Sequence, residues 1–540
     1  MSPLPIAPLL AGIVVLYLVY KRITRISLDD IPGPKADSFW LGNVGKLYRS
    51  VVGTVDFKWQ EEFGGIAHIK GPLGQDMLWI CDPKALQFIY HTAGYNFPKA
   101  PERRALSVLT TDHGLVFVDG DDHKRQRKVM LPAFGTPESK ALFPIFSRCA
   151  AKITTKWKDM LFDAPGQTSI FNVTNWLSFA TMDAIGEAAF DHNFGSIDNQ
   201  GGEMVRVYQT LLVSTFGKLS DGKVFFMNMS RFIPLPLLEL FYAYMPGIGM
   251  DLVKQNRATS HAFAREMIRN KSEALTDGKG SHDIMSILVK ANHSENEKTK
   301  LSEFEMISQM RTLLLAGHET TSTTLTWGLW ELAKHPEIQT RLRKEIHAAE
   351  AVLQSKGRTQ FTVNDLDSMP YVQACMKEIM RYHPPVFHTQ RRAGKDIMVP
   401  LSTPITTKSG KVIQEVLVPK ETRVVLSVAA YNRDKSIWGE DAHEFNPDRW
   451  LNKPDKRETS VGVYSNLLTF SGGVRGCIGW RFAIYEVQAF MIELISNFEF
   501  SMTDEAKKIR REACLVMAPV VNDVSEGAQM PLRVSVAQRE

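Results

Sequence analysis

Cysteine is scarce in this chain: Cys81, Cys149, Cys375, Cys477 and Cys514 are the whole complement. No two stand at a Cys-x-x-Cys spacing, which excludes the usual structural zinc site. An odd number scattered over 540 residues also excludes a disulfide scaffold and fits a reduced, cytosol-facing protein with one working cysteine. Charge of one sign is equally scarce. The formal net charge is +5 with no long Lys/Arg block, which excludes a dedicated nucleic-acid binder. There is no internal repeat, no low-complexity tract and, after residue 34, no stretch of linker composition. Residues 35–540 therefore read as one compact unit, and 44% apolar residues suffice to enclose a sizeable cofactor.

Long hydrophobic runs are absent too, save one. From Leu4 to Tyr20 no residue is charged, and Leu9–Val19 is almost wholly apolar. As a helix this run would be roughly 25 Å long, near the thickness of a thin bilayer core. Lys21, Arg22 and Arg25 follow at once, which keeps the downstream chain on the cytoplasmic side. A cleaved signal peptide would put basic residues before the run and a small-residue cleavage site after it; neither is present. Residues 1–20 are thus expected to be an uncleaved transmembrane anchor. Residues 21–34, ending in Asp29-Asp30-Ile31-Pro32-Gly33-Pro34, make a basic, proline-stiffened connector. Sequons at Asn172, Asn228 and Asn292 never meet the glycosylation machinery in that orientation and are read as chance matches.

Most of the body is helical by pattern, and short alternating runs near Ala67–Ile80, Lys411–Val418 and Arg423–Val428 supply a minor sheet component. The expected fold class is mainly α with a small β region. The clearest helix runs from Ser302 to Lys334: Ser302 and Glu305 make a capping box, and His335-Pro336 supplies the stop. Within it stands Ala316-Gly317-His318-Glu319-Thr320-Thr321-Ser322-Thr323-Thr324. Glycine and clustered threonines are poor helix formers, and hydroxyls bonding back to carbonyls bend the axis, so a local break is expected here. The plainer reading, close helix packing through small residues, suits Ser322 onward.

The most specific segment is Phe470-Ser471-Gly472-Gly473-Val474-Arg475-Gly476-Cys477-Ile478-Gly479. Its glycines allow a tight turn and a close backbone approach to something flat and bulky. Cys477 stands at the start of an amphipathic helix whose apolar side carries Ile484, Val487, Phe490, Met491 and Leu494, and a helix N-terminus lowers a thiol's pKa. Arg475 adds a fixed cation suited to a carboxylate. Cys-x-Gly alone would equally be a buried structural cysteine beside a turn. The full spacing F-x-x-G-x-R-x-C-x-G resembles the haem-binding loop of the cytochrome P450 family. That resemblance implies Cys477 as the axial ligand of a haem iron, Arg475 against a haem propionate and Phe470 shielding the sulfur. Gly479 and, on the long helix, Ala316 belong to the implied haem surround. A thiolate ligand pushes electron density onto iron.

Other segments share the resemblance in the family's order. Glu378 and Arg381 meet on one helical face and, with Arg449 in Phe445-Asn446-Pro447-Asp448-Arg449-Trp450, resemble the family's structural Glu-Arg-Arg triad. Arg391 stands where a second propionate-binding arginine is implied, with Arg392 adjacent as the alternative. In His123-Lys124-Arg125-Gln126-Arg127-Lys128, Arg127 keeps its place in the family's Trp-x-x-x-Arg, and His123 replaces the tryptophan; imidazole still donates one hydrogen bond to a carboxylate. Lys124, Arg125 and Lys128 read either as a solvated face or as a docking face for an acidic flavoprotein. Glu319-Thr320 resembles the family's catalytic acid–alcohol pair, in which the alcohol holds a water and the carboxylate relays protons into an apolar pocket.

The resemblance implies a single cytochrome P450-like catalytic domain over 35–540 that holds haem b and inserts one atom of dioxygen into a lipophilic organic substrate. Electrons would come from NADPH through an NADPH–cytochrome reductase, with cytochrome b5 as an optional second partner. The anchor suits a single-pass protein of the endoplasmic reticulum membrane with a cytosolic catalytic domain. The texture is similar to fungal, microsomal members. This favours a terpenoid or sterol-like (triterpenoid) substrate of secondary metabolism over a polycyclic aromatic or xenobiotic. A haem-thiolate isomerase or dehydratase would typically lack an intact acid–alcohol pair, and a non-enzymatic haem sensor or scaffold would consume no NADPH. Pocket walls are expected from Leu106–Val118, Leu313–Ala316, Val386–Thr389 and Val516–Pro519. The apolar run Phe232–Leu238 either dips into the bilayer or joins the core.

Overall fold

The structure, a computed structural model, describes residue 12 and residues 26–539 apart from 200–201, 210, 278–282, 294–298 and 452–458. The helices that matter for the site are α1 Pro101–Thr111, α2 Gly120–Met130, α3 Phe143–Phe162, α4 Val173–Phe190, α5 Ile248–Thr276, α6 Glu303–Lys334, α7 Pro336–Ser355, α8 Pro370–Tyr382 and α9 Trp480–Asn497. Helices α3, α4, α6 and α9 pack on one another. α4 is buried almost all round, as a helix apolar on every face must be. Phe146, Phe190 and Phe490 are fully buried at the centre, and each contributes ~1.5–3 kcal/mol of apolar burial.

α6 begins as the sequence predicts. Ser302 Oγ accepts from the Glu305 N–H at 3.2 Å, and Glu305 Oε2 accepts from the Ser302 N–H at 2.8 Å. Its 32 residues span about 48 Å, enough to cross the body. The expected break is absent: the helix is continuous from Glu303 to Lys334. The hydroxyls of Thr312, Thr320 and Thr324 do bond back, to the carbonyls of Ser308, Ala316 and Thr320, each at 2.8 Å. A carbonyl oxygen has two lone pairs, so such a bond need not displace the helical one. Gly317 is there for packing, since a Cβ would stand 2.6 Å from Ile185 Cδ1 of α4.

The β region is β1 Ile66–Lys70, β2 Asp76–Ile80, β3 Thr168–Asn172, β4 His388–Arg392, β5 Ile397–Thr406, β6 Val412–Val418, β7 Arg423–Ser427, β8 Phe498–Met502, β9 Arg510–Cys514, β10 Val516–Val520 and β11 Pro531–Val536. The largest sheet has the order β1-β2-β7-β4, with β2 and β7 parallel and the other pairs antiparallel. β5–β6 and β9–β10 are hairpins, and β3-β11-β8 closes the far side.

The expected anchor lies outside the described residues apart from residue 12. Among the described residues no helix is long and apolar enough to cross a membrane. The Pro-rich segment after it is laid on the body: the His68 N–H donates to Pro32 O at 2.8 Å, Lys408 N–H to Asp30 O at 2.8 Å and Ser409 Oγ to Asp30 at 2.7 Å. Phe232–Leu238 divides. Leu238 is buried, whereas Phe232, Leu237, Leu240, Phe241 and Tyr244 are exposed. All three sequon asparagines spend their amides on internal bonds, to Ala528 O (3.4 Å), Val224 O (2.8 Å) and Leu301 O (2.9 Å).

Candidate active site

α6 and α9 run on two sides of one interior cavity of about 390 Å³. Ala316, Thr320 and Thr324 line it from α6; Phe470, Arg475, Gly476, Cys477 and Gly479 line it from the loop before α9. That loop is held by the chain's own backbone. The Cys477 N–H donates to Phe470 O at 2.8 Å. Gly473 sits at φ +58°, where a Cβ would meet Tyr90 O at 1.9 Å, a place only glycine can take. The glycine-rich turn therefore makes its closest approach to residues 88–92, whereas a Cβ at Gly479 would find ordinary contact with Phe134 at 3.6 Å.

Four of the five cysteines are buried; Cys477 alone is exposed, and the surface it exposes is the wall of the cavity. Burial pushes its thiol up, opposed by the Gly479 N–H and the charge of Arg127. The lowering expected from the helix start is thus present as one donor, and burial outweighs it in the protein alone. The residues placed on the inner side of α9, Ile484, Val487, Phe490, Met491 and Leu494, are all buried.

The α8 motif clamps this loop from behind. Glu378 and Arg381 are fully buried and pair bidentately at 2.7 and 2.8 Å. Glu378 also accepts from Arg449 Nε at 3.0 Å and from the Trp450 Nε1–H at 2.9 Å. Arg381 also donates to the carbonyls of Asn432, Ala442 and Glu444. Asn432 in turn accepts from the Leu468 N–H (2.9 Å) and donates to Thr469 Oγ1 (2.8 Å), which ties the clamp to the strand of chain entering the cysteine loop.

The remaining wall is rich in cations. His123, Arg127, Arg391 and Arg475 all line the cavity, joined by Lys99 and Arg103, which sequence reasoning did not single out. Their only signal was the density of charge in Pro98-Lys99-Ala100-Pro101-Glu102-Arg103-Arg104. Arg391 faces the cavity from β4, while its neighbour Arg392 turns out to Glu421 at 2.5 Å. Arg475 pairs with Asp119 and the Gly94 carbonyl, and its Nε has no partner among the described residues. Among the described residues the Arg391 guanidinium finds only the carbonyl of Gln390, at 3.1 Å. Burial, then the neighbouring Arg391, Arg475 and Arg104, lower Lys99 to about 6 in spite of Asp119. Burial with Lys99, Arg475 and Arg127 holds His123 at about 3, so its imidazole is neutral. Tyr95 Oη stands 3.0 Å from its Nδ1.

Glu319 does not line the cavity; it lies one residue from Thr320 in an enclosed setting, where burial raises its carboxyl to about 8. His318 Nε2 stands 3.8 Å away, but burial lowers it to about 4, so the neutral ring offers the carboxylate no opposite charge. Of the expected substrate walls, Ser107, Leu115, Val116, Leu313, Val386 and Thr389 line the cavity. Val516–Pro519 does not. It lies in β10, fully covered, with Met517 O taking the Trp327 Nε1–H at 2.9 Å.

One accessible cysteine and a threonine-bearing helix line one cavity with Arg103, Arg127, Arg391 and Arg475, of which only Arg475 has a carboxylate partner among the described residues; this set would suit a flat, dianionic group held through sulfur. The whole sequence agrees: residues 32–524 match the family described as cytochrome P450. The chain belongs to the cytochrome P450 family. Among its relatives, cytochrome P450 monooxygenase 205 of Postia placenta is 31% identical, with 95% of this chain and 94% of the relative covered. Cytochrome P450 monooxygenases claQ and claO of Ampulloclitocybe clavipes are 31% and 30% identical, covering 97% of this chain and 96% and 97% of theirs. The chain is accordingly a P450 monooxygenase, an oxidoreductase that uses haem and receives electrons from NADPH through a reductase.

Proposed function

We propose that this P450 hydroxylates a lipophilic, mainly saturated ring scaffold of the terpenoid or sterol-like kind, as part of secondary metabolism, at the endoplasmic reticulum membrane. The observation that supports it most is the wall opposite Cys477. Leu115, Val116, Ile185, Leu313, Ala316, Pro385 and Val386 are aliphatic, and the phenylalanines that line the cavity, Phe134, Phe470 and Phe482, belong to the cysteine loop and α9 or stand against them. Such a surface rewards area burial but offers a polycyclic aromatic none of the stacking that favours it.

In this reading Cys477 would hold the haem iron through its sulfur, and the bound haem would supply the activation of dioxygen. Arg127, Arg391 and Arg475, which line the same cavity, would hold its carboxylates. His123, held neutral and 3.0 Å from Tyr95 Oη through Nδ1, would join them as a donor in the tautomer that carries its proton on Nε2. Phe470 and Gly479, which line the cavity with Cys477, would cover the sulfur, and Ala316 on α6 would leave room for the group. The Thr320 hydroxyl, its proton committed to Ala316 O, accepts from a water in the cavity. Glu319, protonated up to about pH 8, supplies the proton that this water passes on.

Lys124 and Lys128 are exposed on α2 and offer the reductase, and cytochrome b5, a basic face. Arg125 is spent on Glu305 and Lys300 O. The exposed Phe39, Trp40, Phe232, Leu237, Leu240, Phe241 and Tyr244 face the bilayer beside the anchor at residues 1–20. The test is a ferric-haem spectral titration of the full chain in nanodiscs with terpenoids, sterols and polycyclic aromatics, followed by NADPH turnover with reductase. Substrate-type shifts and product are expected from the alicyclic probes. Shifts from the aromatics alone would overturn the reading.

A further inference from the structure

Beside the main cavity lies a second, smaller chamber of about 40 Å³, walled by Leu47, Phe216, Leu219, Met227 and Leu515 among others. Arg103, His388 and Gln390 border both spaces. The chamber has room for a carboxylate-sized group, since about one water occupies each ~10–15 Å³ measured this way.

Its polar lining is one-sided. Arg103 is half-buried and borders both spaces, and its guanidinium has no hydrogen-bond or ion-pair partner among the described residues. Tyr48 Oη accepts from Gln390 Nε2 at 2.8 Å, so its own proton is free to be donated into the chamber. His388 directs Nε2 to Asp56 at 2.5 Å. No carboxylate borders the chamber among the described residues. Glu102, next in sequence to Arg103, gives its Oε1 to Arg423 at 2.6 Å. Arg127 and Arg475 border the main cavity alone, so Arg103 is the cavity cation placed to serve something other than the cofactor.

A half-buried guanidinium with no anion is costly unless a ligand brings one. We infer that Arg103 and Tyr48 form an anion anchor and that the substrate is a lipophilic carboxylic acid. Its carboxylate sits at the Arg103 wall, and its hydrocarbon body extends over the aliphatic wall toward Cys477. Oxidation then falls on carbon remote from the carboxylate. This deepens the reading above and rests on it: terpenoid acids fit both.

The experiment titrates the ferric full-length holoprotein with dodecanoic, hexadecanoic and abietic acids, each against its methyl ester, following the substrate-type spectral shift. Haem content and the reduced carbonyl spectrum are recorded alongside. A charge-assisted contact in an enclosed site is worth about 10–100-fold in Kd. At least one acid should therefore bind better than its ester by that factor. Arg103→Gln should erase the preference while keeping haem, Arg103→Lys should keep part of it, and Tyr48→Phe should reduce it. Equal acid and ester affinity in all three pairs overturns the anchor, as does a preference that survives Arg103→Gln. So does loss of haem in Arg103→Gln with rescue by Lys, which would give Arg103 to the cofactor. A wild-type protein without the thiolate-type carbonyl spectrum would strike the haem-thiolate reading itself, a distinguishable failure.

Discussion

Glu319→Gln should make the protein more stable at neutral pH while slowing its reaction. Burial raises the Glu319 carboxyl from its ordinary 4.5 to about 8, and its side chain is only 17% exposed. The native state thus binds a proton that the unfolded chain has released anywhere between pH 4.5 and 8. In that window stability falls as pH rises, by about 1.4 kcal/mol per unit. The cost is absent below the unfolded value and fully developed above the folded one. Glutamine of the same shape has nothing to titrate. Relative to the wild type it should gain roughly 3–4 kcal/mol at pH 7, less ~1 kcal/mol for a buried amide lacking full hydrogen bonding. Urea midpoints of both holoproteins at pH 5, 6, 7 and 8 measure it, and the diverging slope carries the argument more than any single value. Turnover by the wild type should also decline above pH 8 as the carboxyl ionises, and the variant should lack that limb. Parallel stability profiles, or a variant weaker by a constant amount at every pH, would refute the buried, protonated carboxyl.

Thr320→Ala should keep haem and substrate binding but lose coupling: product per NADPH falls and free peroxide appears, because positioned acid assistance is typically worth ~10²–10⁴-fold. An unchanged product-to-NADPH ratio would place the relay on another donor such as Thr321. Glu378→Ala leaves Arg381 buried without its carboxylate and should cost about 3–5 kcal/mol, seen as a large fall in thermal midpoint and poor haem retention. A near-wild-type midpoint would mean the clamp is dispensable. Deleting residues 1–20 should release much of the protein from membranes with its haem spectrum intact; some attachment through the exposed Phe232–Tyr244 segment is expected to persist. Loss of the haem spectrum on truncation would make the first residues part of the fold.

The helical signals were legible where one physical cause dominates. The Ser302–Glu305 box fixed the start of α6, and the amphipathic stripe fixed the inward face of α9. Glu378, Arg381 and Arg449 could be assembled because their spacing and residue types admit few alternatives. Strands β3 and β8–β11 escaped notice because each is only five or six residues long, too short for a clear period, and β10 is covered along its whole length, which erases the alternation that marks a strand. The break in α6 was misjudged for a related reason. Threonine and glycine weaken an isolated helix, but tertiary packing decides: Gly317 seats Ile185, and the hydroxyls satisfy themselves on the preceding turn. Arg391 and Arg392 could not be separated by sequence, since alternation puts neighbours on opposite faces of a strand without saying which face is inward. Lys99 and Arg103 were invisible because a charged cluster near prolines looks like a solvated turn until the chain folds it around a cavity.

The central claim is that Cys477 alone makes this a haem-thiolate enzyme, and the reduced carbonyl spectrum of single serine variants tests it most directly. Cys81, Cys149, Cys375 and Cys514 are buried away from the cavity, so Cys81→Ser, Cys149→Ser, Cys375→Ser and Cys514→Ser should each keep the red-shifted thiolate band. Cys477→Ser should abolish it. A red-shifted band that survives in Cys477→Ser, or one lost with any of the other four while Cys477 is intact and haem is bound, would contradict the account.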